Sequence, residues 1–224
     1  MAHSHNTVRA LSGPRPALRG LSHRAAAILS VPAAVVLSLS APSGTPRLAA
    51  AVFGAAMAIM FTASALTHYR RWSPDATEIL FRIDHTAIYI AIFGTLVPVA
   101  LLGLDGGWRT LLLAGVGGAC AVGIAIEWLP FATPRGVAHT MYLALSWTTV
   151  LAMPRLLQLA GWPALGLLLA GGVAYTVGAV IVAIQRPDPR PHVFGYHEIW
   201  HLLVIVGATL HYLMVGVALL PTAA

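Results

Sequence analysis

Residues 196–220 read YHEIWHLLVIVGATLHYLMVGVALL, a pair of potential metal ligands followed directly by an apolar run. His197 and His201 are four residues apart, so on a helix both imidazoles lie on one face and can reach one metal ion. The apolar run is about twenty residues long, which at ~1.5 Å per residue crosses the hydrocarbon of a bilayer. Polar groups are unfavourable at the start of such a helix, because hydrocarbon offers them no hydrogen-bond partners. This stretch therefore predicts a membrane-spanning helix that begins with a functional site.

The composition of the whole chain indicates an integral membrane protein. Its 224 residues are 58% hydrophobic and only 9% charged, with a mean hydropathy of +0.80. A soluble domain carries about 25% charged residues. The formal net charge of +6 comes from 13 arginines and no lysine, against seven acids. In a soluble protein that balance would suggest a nucleic-acid partner, but in a membrane chain it indicates orientation by the positive-inside rule, and no nucleic-acid partner is expected.

The N-terminal segment and the cysteine content further narrow the class of membrane protein. Residues 1–18 are basic and rich in serine and proline, and we predict a disordered cytoplasmic tail there. The apolar stretch that follows is too long for the h-region of a signal peptide, so we expect a retained first helix. The single cysteine, Cys120, excludes an internal disulfide and a cysteine-based metal site.

Apolar segments separated by proline, glycine and arginine predict seven transmembrane helices. The spans are 21–41, 47–69, 83–103, 109–129, 136–157, 162–185 and 197–220. Their connections are short, so neighbouring helices should be antiparallel in a bundle. The fold class expected for residues 19–221 is therefore one all-α, seven-transmembrane domain.

The arginines predict how this bundle is oriented. With the N-terminus in the cytoplasm, ten arginines lie on the inner side and only three, Arg47, Arg109 and Arg155, lie on the outer side. Because cytoplasmic loops carry the excess of basic residues, we predict a multi-pass protein of the cell membrane with a cytoplasmic N-terminus and an external C-terminus. The end of span two and the starts of spans three and seven then lie at the cytoplasmic face.

Alternating helix direction brings polar residues from three spans to one membrane depth. Ser64 and His68 end span two, Asp84 begins span three, and His197 and His201 begin span seven. Each has an ordinary structural alternative, such as a helix cap for the carboxylate or a backbone-bonded hydroxyl for the serine. Together, three neutral imidazoles, one open position and a nearby carboxylate describe a catalytic-type zinc site. We predict His68, His197 and His201 as Zn²⁺ ligands and Asp84 and Ser64 as catalytic residues.

Other polar residues within the spans are expected to have supporting roles. His211 lies about 15 Å deeper along span seven than the histidine pair, and we expect it to form a helix–helix hydrogen bond. His85 faces a different side of its helix from Asp84. It is a candidate to orient the residues that bind the metal without binding the metal itself. His23 and His139 begin spans one and five at the same face, and either could be a reserve metal ligand, although a position at the membrane interface is favoured. Glu127 is expected to pair with Arg135.

At these residues the chain resembles the bacterial hemolysin III proteins, which belong with the progestin and adipoQ receptor family. The matching strings are SALTHYRRW, FRIDHTAIYIAIFGTLVPVAL, GGVAYTVGAV and FGYHEIWHLLVIVGATLH, in order over about residues 19–216. The resemblance implies seven membrane helices, zinc held by His68, His197 and His201, and Ser64 and Asp84 at the family's remaining polar positions. The wider superfamily includes alkaline ceramidases. The resemblance therefore also implies hydrolysis of a lipid amide, or a role in membrane-lipid homeostasis or haemolysis.

The sequence departs from the family pattern away from those five residues. Residues 94–98 read GTLVP where relatives have G-T-Y-T-P, and Glu127 stands about where relatives tend to carry lysine. Ser146 also precedes Trp147 where relatives favour glycine. These differences concern the expected contacts with lipid or substrate rather than the zinc site.

Three classes of function stay open at this point. The first is a zinc-dependent hydrolase of lipid amides or esters, with membrane lipids as environment and substrate. The second is an intramembrane metalloprotease, because HEIWH satisfies the H-E-x-x-H pattern with Glu198 as general base. Such a protease needs a distant acidic third ligand, but Asp105 is predicted at the outer face, and Asp84, although available, lies before the histidine pair instead of after it. The third is a receptor, regulator or cytolytic protein in which zinc is structural.

Overall fold

The computed structural model describes residues 15–130 and 137–223, and apart from one isolated β-bridge every regular element in this part of the chain is helical. In chain order the helices are α1 Leu21–Ser40, α2 Thr45–Thr67, α3 Pro74–Gly103, α4 Gly106–Glu127, α5 Val137–Trp147, α6 Met153–Ile184 and α7 Tyr196–Leu213. A 3₁₀ turn joins α5 to α6, and α7 continues through a π-helical turn, Met214–Leu219. The predicted all-α class is confirmed.

Six helical segments within the described residues are long and apolar enough to cross a membrane. They are α1 to α4, the continuous segment Val137–Ile184, and the segment Tyr196–Thr222. Their outward faces carry many exposed apolar side chains, such as Ile28 and Leu29 on α1. Water disfavours such a surface, whereas lipid solvates it. The chain is therefore a multi-pass membrane protein.

The segment Val137–Ile184 turns back on itself. Gly161, inside α6, has φ 70° and ψ −171°, a backbone conformation that is essentially restricted to glycine. The indole Nε1 of Trp147 donates to the Thr176 hydroxyl at 3.1 Å, although the two residues are 29 positions apart. A straight helix would separate them by about 44 Å. The chain therefore reverses near Gly161, between the predicted spans 136–157 and 162–185, and forms two antiparallel helical arms.

The start of α3 differs from the sequence prediction. Ser73 precedes the helix, its side chain accepts the Ala76 N–H at 3.4 Å, and Pro74 opens the first turn. The helix therefore begins at residue 74 and not at 83, because a capping serine and a proline start it before the apolar run. Asp84 consequently lies about three turns inside α3. The alternative that Asp84 caps this helix is wrong.

Two further helix ends position polar side chains. α2 ends at Thr67 with His68 as its C-terminal capping residue, and the His68 N–H donates to the Ser64 carbonyl at 3.0 Å. α7 begins after Gly195, whose N–H donates to Glu198 Oε2 at 2.8 Å. Both helix ends are thus fixed by short-range hydrogen bonds.

The helices pack in sequence order, α1 on α2, α2 on α3 and α3 on α4, while α6 packs on α7 and α7 also touches α1. Small residues permit close approach, as where Gly54 of α2 meets Ala34 of α1 and Gly94 of α3 meets Ala56 of α2. One end of the bundle contains the start of α1, the end of α2, the early turns of α3 and the start of α7. That end contains the candidate site.

Candidate metal centre

Three histidine side chains meet where α2 ends and α7 begins. His68, His197 and His201 each present a ring nitrogen, and the three nitrogens lie within 4.8 Å of one another. The Nε2 atoms of His68 and His197 are 3.3 Å apart. His68 and His201 are buried, and His197 is half-buried. The four-residue spacing on α7 and the capping position on α2 therefore bring together the three predicted ligands.

The cluster fits a tetrahedral transition-metal ion. Zn–N bonds of about 2.0–2.1 Å place two ligand nitrogens on a tetrahedron roughly 3.3–3.4 Å apart. The separation between His68 and His197 has that size. His201 Nδ1 is buried and has no hydrogen-bond partner in the described parts of the chain, which is unfavourable unless something binds there. Three imidazoles suit zinc, copper, iron or nickel rather than magnesium or calcium.

The other two predicted residues lie beside this cluster. Asp84 Oδ2 is 3.7 Å from His68 Nε2, and the Ser64 side chain lies beside the Asp84 carboxylate. Asp84 and Ser64 are both buried. All five residues selected from the sequence are therefore at one place. Their roles as ligands and catalytic groups remain predictions.

His23 lies beside the histidine cluster, at the face where the sequence predicted either an interfacial residue or a reserve ligand. The ring is buried and stacks on His201, with centroids 3.8 Å apart and an interplanar angle of 9°. Its Nε2 lies 3.2 Å from the His201 carbonyl oxygen and its Nδ1 lies 2.9 Å from Ser64 Oγ. Because a carbonyl only accepts, Nε2 carries the proton and the Nδ1 of a neutral ring accepts from the Ser64 hydroxyl. The sequence predicted the depth of His23 but not its contacts with Ser64 and His201.

Residues 15–20, which we call the N-terminal strap, cover the histidine cluster from the end of the bundle. The strap backbone donates two hydrogen bonds, of 2.9 and 3.1 Å, to carbonyls in the loop before α7. The Arg15 guanidinium donates to the His68 carbonyl, and Arg19 Nε donates to Glu198 Oε1 at 2.5 Å. Residues 15–18 of the predicted tail thus contact the bundle, while residues 1–14 lie outside the described part.

Gly20 ends the strap in direct contact with His68. Its φ is 75°, in the left-handed region that side chains rarely adopt. A Cβ at this position would stand 2.7 Å from His68 Cβ and 2.9 Å from the His68 carbonyl oxygen. Glycine is required here for both reasons, and the strap thereby fixes the end of α2.

A second group of polar residues links α3, α4 and α5 beside the site. His85 Nδ1 lies 3.2 Å from Glu127 Oε2, and the Tyr142 hydroxyl donates to Glu127 Oε1 at 3.4 Å. His85 therefore faces α4 rather than the three histidines. The predicted pairing of Glu127 with Arg135 falls outside the described residues, because Arg135 is not among them.

A cavity of about 200 Å³ leads from the histidine cluster into the bundle. His68 and His201 line one end, apolar side chains such as Ile88 and Val204 line the middle, and His211 lines the other end. His211 is ten residues beyond His201 on α7, a distance of about 15 Å. The cavity therefore suits a long apolar ligand whose polar group lies at the histidine end.

The family described as Haemolysin-III related matches residues 12–212. The chain belongs to this family. It is 32% identical to Hemolysin-3 of Bacillus cereus over 209 residues, which cover 91% of each chain. It is 30% identical to a Hemolysin-3 homolog of Bacillus subtilis (strain 168), over 84% of this chain and 86% of the relative. It is also 32% identical to the Heptahelical transmembrane protein ADIPOR2 of Oryza sativa subsp. japonica, over 79% of this chain and 84% of the relative.

Proposed function

We propose that this haemolysin III family member is a zinc-dependent hydrolase of a lipid amide or ester. The observation that carries the proposal is the three-histidine cluster at the polar end of a mostly apolar cavity. His68, His197 and His201 would hold the ion and leave one tetrahedral position open, as catalytic zinc sites do. When bound, zinc supplies polarisation of the carbonyl and activation of water. Membrane lipids are then both the surroundings and the source of substrate.

Two neighbouring side chains would carry the proton chemistry. Asp84 is the proposed proton acceptor, because its carboxylate lies beside the histidines at the head of the cavity. Ser64 is held with its hydroxyl proton directed to His23 Nδ1, 2.9 Å away. That proton is then free neither for the Asp84 carboxylate nor for a substrate carbonyl, so we assign Ser64 to orienting water through its oxygen, which can still accept a hydrogen bond. His23 would keep Ser64 in this position.

We propose seven spans with a cytoplasmic N-terminus. The reversal near Gly161 divides Val137–Ile184 into two arms, which supports counting that segment as two spans. The rice relative is named heptahelical, which agrees with this number. Orientation rests on the excess of arginine at the end of the bundle that holds the histidines, where Arg15 and Arg19 contact His68 and Glu198.

The contacts of Glu198 argue against a metalloprotease. One carboxylate oxygen accepts from Arg19 and the other accepts from the Gly195 N–H, so both are engaged in holding the strap and the start of α7. Asp105 follows the far end of α3, about 30 Å along the helix from Asp84. Glu198 is therefore not free to act as a general base and Asp105 is out of reach, while Asp84, which lies beside the histidines, precedes the pair in the sequence instead of following it.

A second candidate is a regulatory or cytolytic membrane protein in which the metal is structural. It is favoured by the names of the two Bacillus relatives, Hemolysin-3 and its homolog, which refer to haemolysis rather than to hydrolysis. A metal that joins α2 to α7 would also stabilise the bundle without any turnover. The two candidates differ in whether loss of the metal changes lipid composition.

Lipid analysis of cells that express wild type or His197→Ala separates these candidates. We expect one lipid class to accumulate with His197→Ala, because its hydrolysis needs the intact cluster. The control variant is His192→Ala, which changes an exposed loop side chain and should match wild type. Identical lipid profiles for wild type and His197→Ala, with both proteins inserted and monodisperse, would overturn the hydrolase proposal and favour a structural metal.

A further inference from the structure

Five arginines surround the place where the N-terminal strap meets the end of α2. They belong to the strap, to the first turn of α1 and to the turn that follows α2: Arg15, Arg19, Arg24, Arg70 and Arg71. The strap brings Arg15 onto this turn, because its guanidinium donates to the His68 carbonyl. The same guanidinium nitrogen also donates to the Arg19 carbonyl at 3.3 Å. Arg15 thus lies against both the strap and the end of α2.

Aromatic rings of the same turn hold two more of these cations. The Arg24 guanidinium carbon lies 5.8 Å from the centre of the Tyr69 ring, and that of Arg70 lies 4.1 Å from the centre of the Trp72 ring. Stacking on a ring face leaves the N–H groups at the edge of a guanidinium free to donate. Tyr69 directly follows the residue whose carbonyl Arg15 contacts, so these cations share a small surface.

The positive charge of this surface is largely unpaired. Of the five arginines, only Arg19 forms an ion pair among the described residues, and its partner is Glu198. Arg70 and Arg71 are exposed, so their guanidinium groups can be reached from outside the protein. The surface therefore offers an anion both hydrogen-bond donors and uncompensated positive charge.

Mutual repulsion of these cations acts directly on the strap. Burial lowers the pKa of the Arg15 guanidinium, and three nearby charges lower it further, those of Arg19, Arg24 and Arg71. The Glu198 carboxylate acts in the opposite direction. Two backbone hydrogen bonds hold the strap against this repulsion, with Ala17 and Leu18 as donors to carbonyls in the loop before α7. An anion among the arginines would turn the repulsion into attraction and favour the closed strap.

Exposed apolar side chains lie beneath the arginines on the membrane side. Ile28 is one turn deeper than Arg24 on the same face of α1 and is 73% exposed. Leu66, one turn before Tyr69 near the end of α2, is 45% exposed. A cationic rim above an apolar surface matches a phospholipid, which carries its phosphate above its acyl chains. A free phosphate ion would use the arginines alone.

We propose that the strap and the turn after α2 bind the headgroup of an anionic phospholipid, and that this lipid holds the strap closed over the histidine cluster. Phosphate oxygens suit the site, because guanidinium groups bind them through paired N–H groups. Tyr69 and Trp72 place the site at headgroup depth, where aromatic side chains concentrate. With the proposed orientation the site faces the cytoplasmic leaflet, whose surface is negatively charged.

The strap links such a lipid to the candidate metal centre. Gly20 ends the strap against His68, and Arg19 holds Glu198 at the start of α7. The charge of the surrounding leaflet thereby controls how firmly the strap covers the histidines. Binding of the lipid does not require hydrolysis, so it can be tested whichever function the histidines have.

Hydrogen exchange of the strap amides measures whether an anionic lipid closes the strap. The purified full chain is placed in nanodiscs of phosphatidylcholine alone or in nanodiscs that also contain phosphatidylglycerol. The amides of Ala17 and Leu18 exchange when their hydrogen bonds of 2.9 and 3.1 Å to the loop before α7 open. We expect these amides to exchange about tenfold more slowly with phosphatidylglycerol, because several arginines then gain an anionic partner.

Two arginine variants show whether the effect depends on this site. Arg71→Gln removes an exposed arginine of the turn, and we expect it to reduce the difference from about tenfold to about twofold. Arg186→Gln removes an exposed arginine from the loop before α7, at the same end of the bundle, and should keep the full difference. Both residues are far in sequence from the strap amides, so neither substitution changes the intrinsic exchange rates of those amides.

Equal exchange in the two kinds of nanodisc would overturn the lipid site. An equal effect of Arg71→Gln and Arg186→Gln would also overturn it, because attraction to the general surface charge of this end would then explain the result. Inorganic phosphate added to the phosphatidylcholine nanodiscs should leave the exchange unchanged. If it slowed exchange as much as phosphatidylglycerol does, the occupant would be a free anion and not a lipid.

Discussion

The two ends of the bundle use charged and polar side chains in different ways. Around the histidine cluster the groups are buried, as in the pair of Arg19 with Glu198, whose carboxylate side chain is 4% exposed. At the opposite end Asp105 is 77% exposed and pairs with Arg109 at 3.2 Å and Arg155 at 3.3 Å. Exposed pairs contribute little to stability, whereas a buried charge needs its partner. The histidine end therefore holds side chains at fixed positions, while the other end is only solvated.

The largest expected difference between the ends concerns their ion pairs. Arg19→Gln leaves the Glu198 carboxylate buried without its cation, and we expect a loss of about 3 kcal/mol in the free energy of unfolding. Arg109→Gln removes an exposed pair, and we expect a loss below about 1 kcal/mol. Denaturation of both purified variants in the same detergent measures the difference. Equal losses would show that the two ends do not differ in this way.

A smaller effect is expected from two glycines with positive φ, one at each end. Gly20 has φ 75° and touches His68, whereas Gly44 has φ 86° and nothing within 4 Å of its Cβ position. Alanine at either site is strained and should cost about 1–3 kcal/mol of stability. Only Gly20→Ala should also weaken zinc binding, by about tenfold, since it displaces His68. Zinc titration of both variants checks this prediction. Equal zinc affinities of Gly20→Ala and Gly44→Ala would show that the strap does not position His68.

The smallest effect compares two polar residues of α1. His23→Phe keeps a ring against His201 but loses the hydrogen bonds to Ser64 and to the His201 carbonyl, and we expect a loss of about 1 kcal/mol. Ser38→Ala, near the other end of α1, removes a hydroxyl that bonds only the Ala34 carbonyl of its own helix. We expect it to change the free energy of unfolding by less than about 0.5 kcal/mol. Thermal unfolding of both variants provides the measurement, and a larger effect of Ser38→Ala would contradict the comparison.

The placement of the five predicted residues could be derived from the sequence because it depends on local spacing and chain direction. Ser64 and His68 are one helical turn apart, as are His197 and His201, so each pair shares a helix face. The alternating direction of successive apolar spans then places these residues at one membrane depth. The predicted depth of Asp84 did not depend on the error in its helix start, which was predicted at residue 83 whereas the helix begins at Pro74. The apolar run alone determined where the span lies.

What the sequence could not provide is which helices are lateral neighbours. The hydrogen bond between Arg19 and Glu198 joins residues 179 positions apart, and the stacking of His23 on His201 likewise needs α1 beside α7. Hydropathy sets the depth of a residue but not its neighbours around the bundle. The strap was missed for the same reason, since a basic, proline-containing segment has no apolar periodicity from which to infer a contact.

The zinc content of the purified protein tests the central claim most directly. Elemental analysis should give about one zinc ion per chain in wild type, because three imidazoles and one open position form one tetrahedral site. The double variant His68→Ala/His201→Ala should contain almost none, and His192→Ala, an exposed loop histidine, should match wild type. Wild type without stoichiometric zinc, or a double variant that retains all of it, would contradict the metal site on which the proposed function depends.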